Sequence, residues 1–203
     1  MMRFSWIYKD AKKFVIEPEL DEVNDIKYLG AYINSSDRDI STRIALAWAA
    51  CRKLENVWNS ELSKEEKFKF FVACVESVLL YGSETCVMTK KLEKKIVGVY
   101  TRLLREVFNA TWHDKIRNEK LYRGNKLVSE KIRGRRIKFA GHCPRHIETT
   151  ANVGIFWTPD QGRRSIERRK MKYFDEIKRN TNVNNKEGLE TTMMDRKSWK
   201  LFQ

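Results

Sequence analysis

The densest group of side chains that could bind a charged ligand lies in residues 131–143. The segment reads Lys-Ile-Arg-Gly-Arg-Arg-Ile-Lys-Phe-Ala-Gly-His-Cys. Guanidinium groups hold phosphate oxygens in pairs, and exposed Phe or His rings can stack on bases. At helical spacing, however, Ile132 and Phe139 would face a core, so we expect the arginines outside and Phe139 inside. The segment predicts a nucleic-acid contact made by Arg133, Arg135, Arg136, Lys138 and His142.

Two other basic groups accompany it. Residues 90–108 predict a helix whose apolar positions recur at i, i+3 and i+4, and its exposed face carries Lys90, Lys91, Lys94, Lys95, Arg102 and Arg105. The second group comprises Arg163, Arg164, Arg168 and Arg169. Either group is also compatible with a solvated surface that binds nothing.

The distribution of charge favours a polyanionic partner. The net charge is +14, and residues 113–180 contain 19 basic and 8 acidic residues. A local cationic excess attracts polyanions, and releasing counterions from phosphates gives binding that does not depend on base sequence. We therefore expect RNA or DNA as the partner, bound through its phosphate backbone. The alternative is a basic surface that only keeps the protein soluble.

Other chemistries find little support. His142-Cys143-x-x-His146 is only half of a zinc site, and the four cysteines show no CxxC spacing. No P-loop and no Ser/His/Asp order is present. We expect no catalytic residue, no metal and no cofactor. No apolar run approaches the roughly 18 residues of a membrane span, and the start lacks a secretory segment, so we expect no membrane partner and an intracellular location, in the nucleus or cytoplasm.

The elements that must position these groups are mostly helical. Residues 14–16 and 26–33 predict two strands of a small N-terminal β-hairpin, with Gly30 as a close approach or bulge. Helices follow over about 36–58, from Ser63 to near Gly82, and over 90–108. The predicted organisation is a hairpin in 1–35, a helical bundle in 36–112, a basic helical segment in 113–180 and a polar tail in 181–203, which we expect to be frayed until Trp199 to Phe202.

Several spaced motifs resemble one protein family. They are Tyr28-Leu29-Gly30, Asp39-Ile40 with Arg43-Ile44-Ala45 and Trp48, the block 76–84, the block 100–105, Ser129 to Arg133, Arg136 to Cys143, and Trp157-x-Pro159 with Gly162 and Arg163. In order and spacing the chain resembles the end of the palm, the thumb and the C-terminal segment of reverse transcriptases from non-LTR (LINE-type) retrotransposons. Relatives often carry an Arg-Gly-Arg-Pro turn where this chain has Ser165-Ile166-Glu167.

The resemblance implies roles for the residues named above. The hairpin with Tyr28 and Gly30 would support the primer terminus, and the helix over 90–108 would be a thumb helix whose cationic face grips the template–primer duplex. Such contacts position a duplex and do not read its sequence. The paired carboxylates that hold the two catalytic metal ions in these polymerases have no counterpart, because the chain contains no Asp-Asp pair. We therefore expect a fragment that begins after the active site and does not polymerise.

Three interpretations remain open from the sequence. The first is a truncated polymerase that retains non-specific binding of RNA, DNA or a hybrid. The second is a domesticated module whose helical bundle binds a protein partner. A third interpretation is a retroelement relic without a selected function.

Overall fold

The computed structural model describes residues 27–32, 35–146, 155, 173–183 and 185–202. Within these ranges the chain is mostly helical and carries one two-stranded antiparallel sheet, which confirms the predicted fold class. The predicted strand over 14–16 lies outside the described residues. No helix in the described part is long and apolar enough to cross a membrane.

The sheet is a minimal hairpin of β1 (Lys27–Tyr28) and β2 (Ala31–Tyr32). The prediction of one continuous strand over 26–33 is wrong, because Leu29 and Gly30 both have positive φ, 47° and 84°. Two successive left-handed residues reverse the chain in a tight two-residue turn. Helix α1 then anchors the hairpin: the Tyr32 N–H donates to Asp39 Oδ1 at 3.1 Å, and the Arg43 guanidinium donates to the carbonyl of Gly30.

Helices α1 to α5 form the predicted bundle. They are α1 (Ser36–Lys53), α2 (Glu55–Trp58), α3 (Lys64–Phe70), α4 (Ser77–Leu79) and α5 (Lys90–Val107). Side chains cap the three longest of them: Ser35 accepts from the Arg38 N–H, Ser63 forms the predicted capping box with Glu66, and Thr89 accepts from the Leu92 N–H. These caps satisfy backbone donors that have no partner within the helix, and they fix where each helix begins.

A π-helical segment, Phe71–Glu76, joins α3 to α4. It aims Phe71 and Val75 into the core and turns Glu76 toward Tyr100 and Lys131. The bundle core, here called the first cluster, contains buried residues from α1, α2, the π-helical segment, α4 and α5. It also contains Leu80, Met88, Leu121, Tyr122, Val128 and Ile132.

The C-terminal part packs around a second cluster. The helices after the bundle are α6 (Asn118–Tyr122), whose Leu121 and Tyr122 belong to the first cluster, and then α7 (Val128–His142), α8 (Tyr173–Thr181), α9 (Lys186–Met194) and α10 (Arg196–Lys200). The buried members of the second cluster are Ile137, Ala140, Cys143, Ile155, Ile177, Leu189, Met193 and Trp199. The N-terminal half of α7 contributes to the first cluster and its C-terminal half to the second.

The expectation that the tail is frayed up to Trp199 is wrong. Residues 186–200 form α9 and α10, and Trp199 is buried. The Trp199 indole lies directly on Gly141 of α7, where an added Cβ would fall 2.1 Å from Nε1, and that Nε1–H donates to the Ile137 carbonyl at 2.7 Å. A few apolar residues are therefore enough to dock this polar stretch, because one of them, Trp199, is a large aromatic that is buried and also donates a hydrogen bond.

Candidate nucleic-acid interface

Helix α5 separates its charged and apolar residues as predicted. Lys90, Lys91, Lys94, Lys95 and Arg102 are exposed, whereas Leu92, Ile96, Tyr100, Leu103, Leu104 and Val107 are buried. Lys95 Nζ donates to Ser41 Oγ at 2.8 Å. Among the described residues, none of the five exposed cations forms an ion pair with a carboxylate. We call these five residues the α5 face.

Arg105 has a different role from the rest of the group. It is partly buried, and its Nη2 donates to the carbonyl of Ile116 at 2.9 Å and to Asn118 Oδ1 at 3.1 Å. It therefore holds the loop between α5 and α6. Asn118, the first residue of α6, also completes a shallow groove of about 650 Å³ beside α5. The groove is lined by Lys90, Glu93, Lys94, Val97, Gly98, Thr101, Arg102 and Asn118.

The predicted cations of α7 divide into two sets. Arg133, Arg135, Lys138 and His142 are exposed, as expected. Arg133 donates to the Asn180 carbonyl, and Arg135 Nη1 donates to the Leu80 carbonyl at 3.0 Å. A guanidinium has five N–H donors, so one carbonyl does not exhaust it.

The assignment of Arg136 to the exposed group is corrected. It is only 2% exposed, and its Nη1 donates to Glu176 Oε1 at 2.7 Å while its Nη2 donates to the Cys86 carbonyl at 3.1 Å. Positions 132, 136 and 140 share one face of α7 at four-residue spacing, and that face is buried. Glu176 neutralises the charge that this position places inside. Arg136 is therefore not accessible to a phosphate here.

The remaining predicted residues are placed as follows. Tyr28 is 58% exposed on β1, and Gly30 forms the turn, which is pinned by Arg43 and by the Tyr81 hydroxyl donating to the Leu29 carbonyl at 2.9 Å. The group Arg163, Arg164, Arg168 and Arg169 lies outside the described residues.

In the described ranges, no three His, Cys, Asp or Glu side chains come together to hold a metal ion. The rings of His142 and His146 lie 4.1 Å apart between centroids, whereas Cys143 is buried. Burial raises the pKa of the Cys143 thiol, which disfavours the thiolate that a metal requires.

A second groove, which we call the C-terminal groove, lies where α7 meets α10. It has a volume of about 520 Å³ and is lined by Glu84, Arg135, Lys138, Phe139, His142, Arg145, Arg196, Trp199 and Lys200. Sequence reasoning named Arg135, Lys138 and His142 but missed Arg145, Arg196 and Lys200. Arg196 and Lys200 lie in the polar stretch that the sequence predicts to be a tail. The docking of Trp199 brings them next to α7.

Trp112 is a second feature that sequence reasoning missed. It is 79% exposed and lies against the His113 ring at 3.5 Å between centroids. A capping box holds the turn, since Asp114 Oδ2 accepts from the Thr111 N–H at 2.7 Å and from its hydroxyl at 2.8 Å. Those hydrogen bonds lower the pKa of Asp114. Nothing in the residue type distinguishes this exposed Trp from the buried Trp58 and Trp199.

Comparison with known proteins gives one significant relative. An uncharacterized transposon-derived protein of Caenorhabditis elegans is 26% identical over 197 residues, which cover 89% of this chain and 70% of that protein. The chain is related to a transposon-derived protein. No protein-family model matches the chain, and no solved structure matches it significantly.

Proposed function

We propose that this chain is the thumb and C-terminal part of a LINE-type reverse transcriptase, and that it binds RNA, DNA or their hybrid through the phosphate backbone without reading sequence. The observation that carries the proposal is the α5 face, where five exposed cations lie opposite a buried apolar stripe. Within the described residues, none of the five is paired with a carboxylate. The motif order and the transposon-derived relative support the same origin.

The length of the α5 face suits a nucleic-acid backbone. Twelve residues separate Lys90 from Arg102, which at the helical rise is roughly 18 Å. That length matches roughly five nucleotide steps of one duplex strand. Lysines act as point charges toward phosphates and tolerate many geometries, which fits binding without sequence preference.

The test is a salt series on a labelled RNA–DNA hybrid, followed by fluorescence anisotropy. The triple variant Lys90→Gln, Lys94→Gln and Arg102→Gln is compared with a control that loses the same charge elsewhere, Arg52→Gln, Lys53→Gln and Lys69→Gln. Each lost phosphate contact reduces the magnitude of the slope of log affinity against log salt concentration by about 0.9. We therefore expect this slope to fall by about 2 to 3 for the triple variant and by much less for the control. Equal effects in the two variants, or no wild-type binding at low salt, would contradict the proposal.

The same proposal holds that the chain alone does not polymerise. No Asp-Asp pair is present to hold the two metal ions. Extension of a primer by the purified 203-residue chain, abolished by chelating Mg²⁺, would overturn this part.

A second candidate function is supported by the exposed apolar surface at the hairpin. Tyr28, Leu29 and Tyr81 are all exposed, and the Tyr81 hydroxyl donates to the Leu29 carbonyl, which places Tyr81 beside the hairpin turn. A protein partner would cover such a patch. This alternative predicts salt-insensitive, weak nucleic-acid binding together with a stable oligomer or complex in light scattering, which Leu29→Ser would dissociate.

A further inference from the structure

The C-terminal groove concentrates positive charge. Arg135, Lys138, Arg145, Arg196 and Lys200 line it, and Glu84 is the one acid among its lining residues. In the described part of the chain, none of these five cations forms an ion pair with a carboxylate. Asp195, which precedes Arg196, caps α10: its oxygens accept from the N–H groups of Lys197 and Ser198 and from the Ser198 hydroxyl.

Two of these guanidinium groups repel each other. Burial and the charge of Arg196 both lower the pKa of Arg145. Arg145 is held by one hydrogen bond, from Nη1 to the Met193 carbonyl at 2.6 Å, and its Nε is buried without a hydrogen-bond partner. Like charges brought together by packing raise the free energy of the folded state unless an anion joins them.

The position of the groove walls is fixed by close packing. Trp199 rests on Gly141 and donates to the Ile137 carbonyl, which fixes α10 against α7. Phe139 is partly exposed and contributes an aromatic surface inside the groove. The result is a concave, largely apolar surface with cations around it, and it shares no lining residue with the groove beside α5.

We propose that the C-terminal groove binds one single strand of RNA or DNA, with phosphates on Lys138, Arg145, Arg196 and Lys200 and a base against Phe139. Proteins that hold single strands combine a cationic groove with aromatic surfaces in this way. A duplex keeps its bases stacked inside and presents a convex backbone, so it suits the α5 face and not this concavity. The inference rests on the proposed nucleic-acid binding and assigns a strand preference to this part of it.

The test compares two substrates and three proteins. The substrates are an unstructured labelled oligouridine and an RNA–DNA hybrid duplex. The groove variant is Lys138→Gln, Arg196→Gln and Lys200→Gln, all exposed positions, and Arg145 is left in place because it supports Met193. The matched control removes the same charge from the same region outside the groove, at Arg179, Lys186 and Lys197. Thermal unfolding checks that all three proteins fold.

We expect the groove variant to bind oligouridine at least tenfold more weakly. The slope of log affinity against log salt concentration should fall in magnitude by about 2, since each of the three lost single-strand phosphate contacts contributes about 0.7. Hybrid binding should change less than threefold, and the control should bind both substrates almost as the wild type does. Lysine acylation read by mass spectrometry gives a second measurement. Oligouridine should protect Lys138 and Lys200 in the wild type but not Lys197.

The outcomes separate the two proposals. Loss of oligouridine binding equal to that of the control, or no protection of Lys138 and Lys200 while the strand is bound, overturns the single-strand site and leaves the α5 proposal intact. Wild-type protein that binds neither substrate at low salt overturns both.

Discussion

Two buried acids each meet a cation from α7. Lys131 Nζ lies 2.6 Å from Glu76 Oε2, which also accepts from the Tyr100 hydroxyl at 2.6 Å. Arg136 pairs with Glu176, which also accepts from the Met88 N–H at 3.0 Å. Each charge has hydrogen-bond partners, which is the condition under which a buried ion pair is tolerated. Cations of α7 that looked like ligand contacts in the sequence thus include structural ones.

Removing one partner of the Arg136–Glu176 pair should destabilise the fold strongly. Arg136→Met removes the buried partner of Glu176 and leaves it only the half-exposed Arg179, whose Nη2 lies 3.8 Å from Oε1. We expect a loss of about 3 to 5 kcal/mol in the free energy of unfolding. Urea denaturation measures it. The double variant Arg136→Met with Glu176→Leu should recover most of the loss, and a double variant as unstable as the single one would contradict this account.

The pH dependence of that variant follows from Glu176. Burial raises the pKa of Glu176, and Arg136 opposes the rise. Without Arg136 the folded-state pKa rises further above its unfolded value, so the folded state binds the proton more tightly. The variant should therefore regain stability as the pH falls through that raised pKa toward the unfolded value. Its deficit against wild type in urea should be smaller at pH 5 than at pH 7, and a larger deficit at pH 5 would reverse the assignment.

The cysteines should differ in reactivity by site. Cys74 is exposed, whereas burial raises the pKa of Cys51 to about 11, with the nearby Glu106 adding to the rise. Alkylation requires the thiolate. Iodoacetamide at pH 8 should label Cys74 first and label Cys51 only under denaturing conditions, as mass spectrometry can follow. Equal labelling of the two in the folded protein would count against the burial of Cys51.

At the scale of helices and strands, local signals located most boundaries. Residue types at fixed spacing indicate the capping box at Ser63 and the N-cap at Thr89, and helices α3 and α5 begin directly after these residues. The hairpin and the tail were mispredicted for tertiary reasons. Leu29 is a poor candidate for positive φ, and Arg43 and Tyr81 hold the turn from distant positions. The α9–α10 stretch is polar, and its order depends on Trp199 fitting over Gly141.

The contact between α7 and α10 can be tested with a matched pair of glycine substitutions. Gly141→Ala places a Cβ within 2.1 Å of the Trp199 indole and should cost about 1 to 3 kcal/mol. Gly98→Ala is also in a helix, but its Cβ meets nothing within 4 Å, so it should stabilise by about 0.5 to 1 kcal/mol through helix propensity. Opposite signs in thermal unfolding are expected. A neutral Gly141→Ala would mean that α10 does not rest on α7 in solution.

At the scale of the whole molecule, the candidate site was only partly predictable. The charge of residues 113–180 and the stripe of α5 were visible in residue types. The inward position of Arg136 depends on an acid forty residues later, and the C-terminal groove depends on α10 returning to α7. Sequence periodicity shows which face of a helix is polar. It does not show which cation will turn inward to pair with a buried acid.

The two clusters predict regional stability. Ending the chain after residue 184 removes Leu189, Met193 and Trp199 from the second cluster, whereas the first cluster keeps all its buried members. Hydrogen exchange should then show loss of protection around residues 137–146 and retained protection around Leu103 and Leu104. Loss of protection across both regions would show instead that the clusters fold as one cooperative unit.

The π-helical segment Phe71–Glu76 has a consequence for changes in coding length. A π-helical turn contains about one residue more than an α-helical turn, so an in-frame loss of one codon here would leave a continuous α-helix. Because the π-helical turn already holds that extra residue within about one full turn, the half that precedes the segment would keep roughly its present orientation relative to the half that follows. Phe68, which lies beneath the Lys131 ammonium at 5.8 Å and beside the Phe71 ring at 6.1 Å, would keep both contacts. The same deletion in a regular α-helix would rotate the two halves by roughly 100°, so this turn is where the helix should best tolerate the loss of one codon.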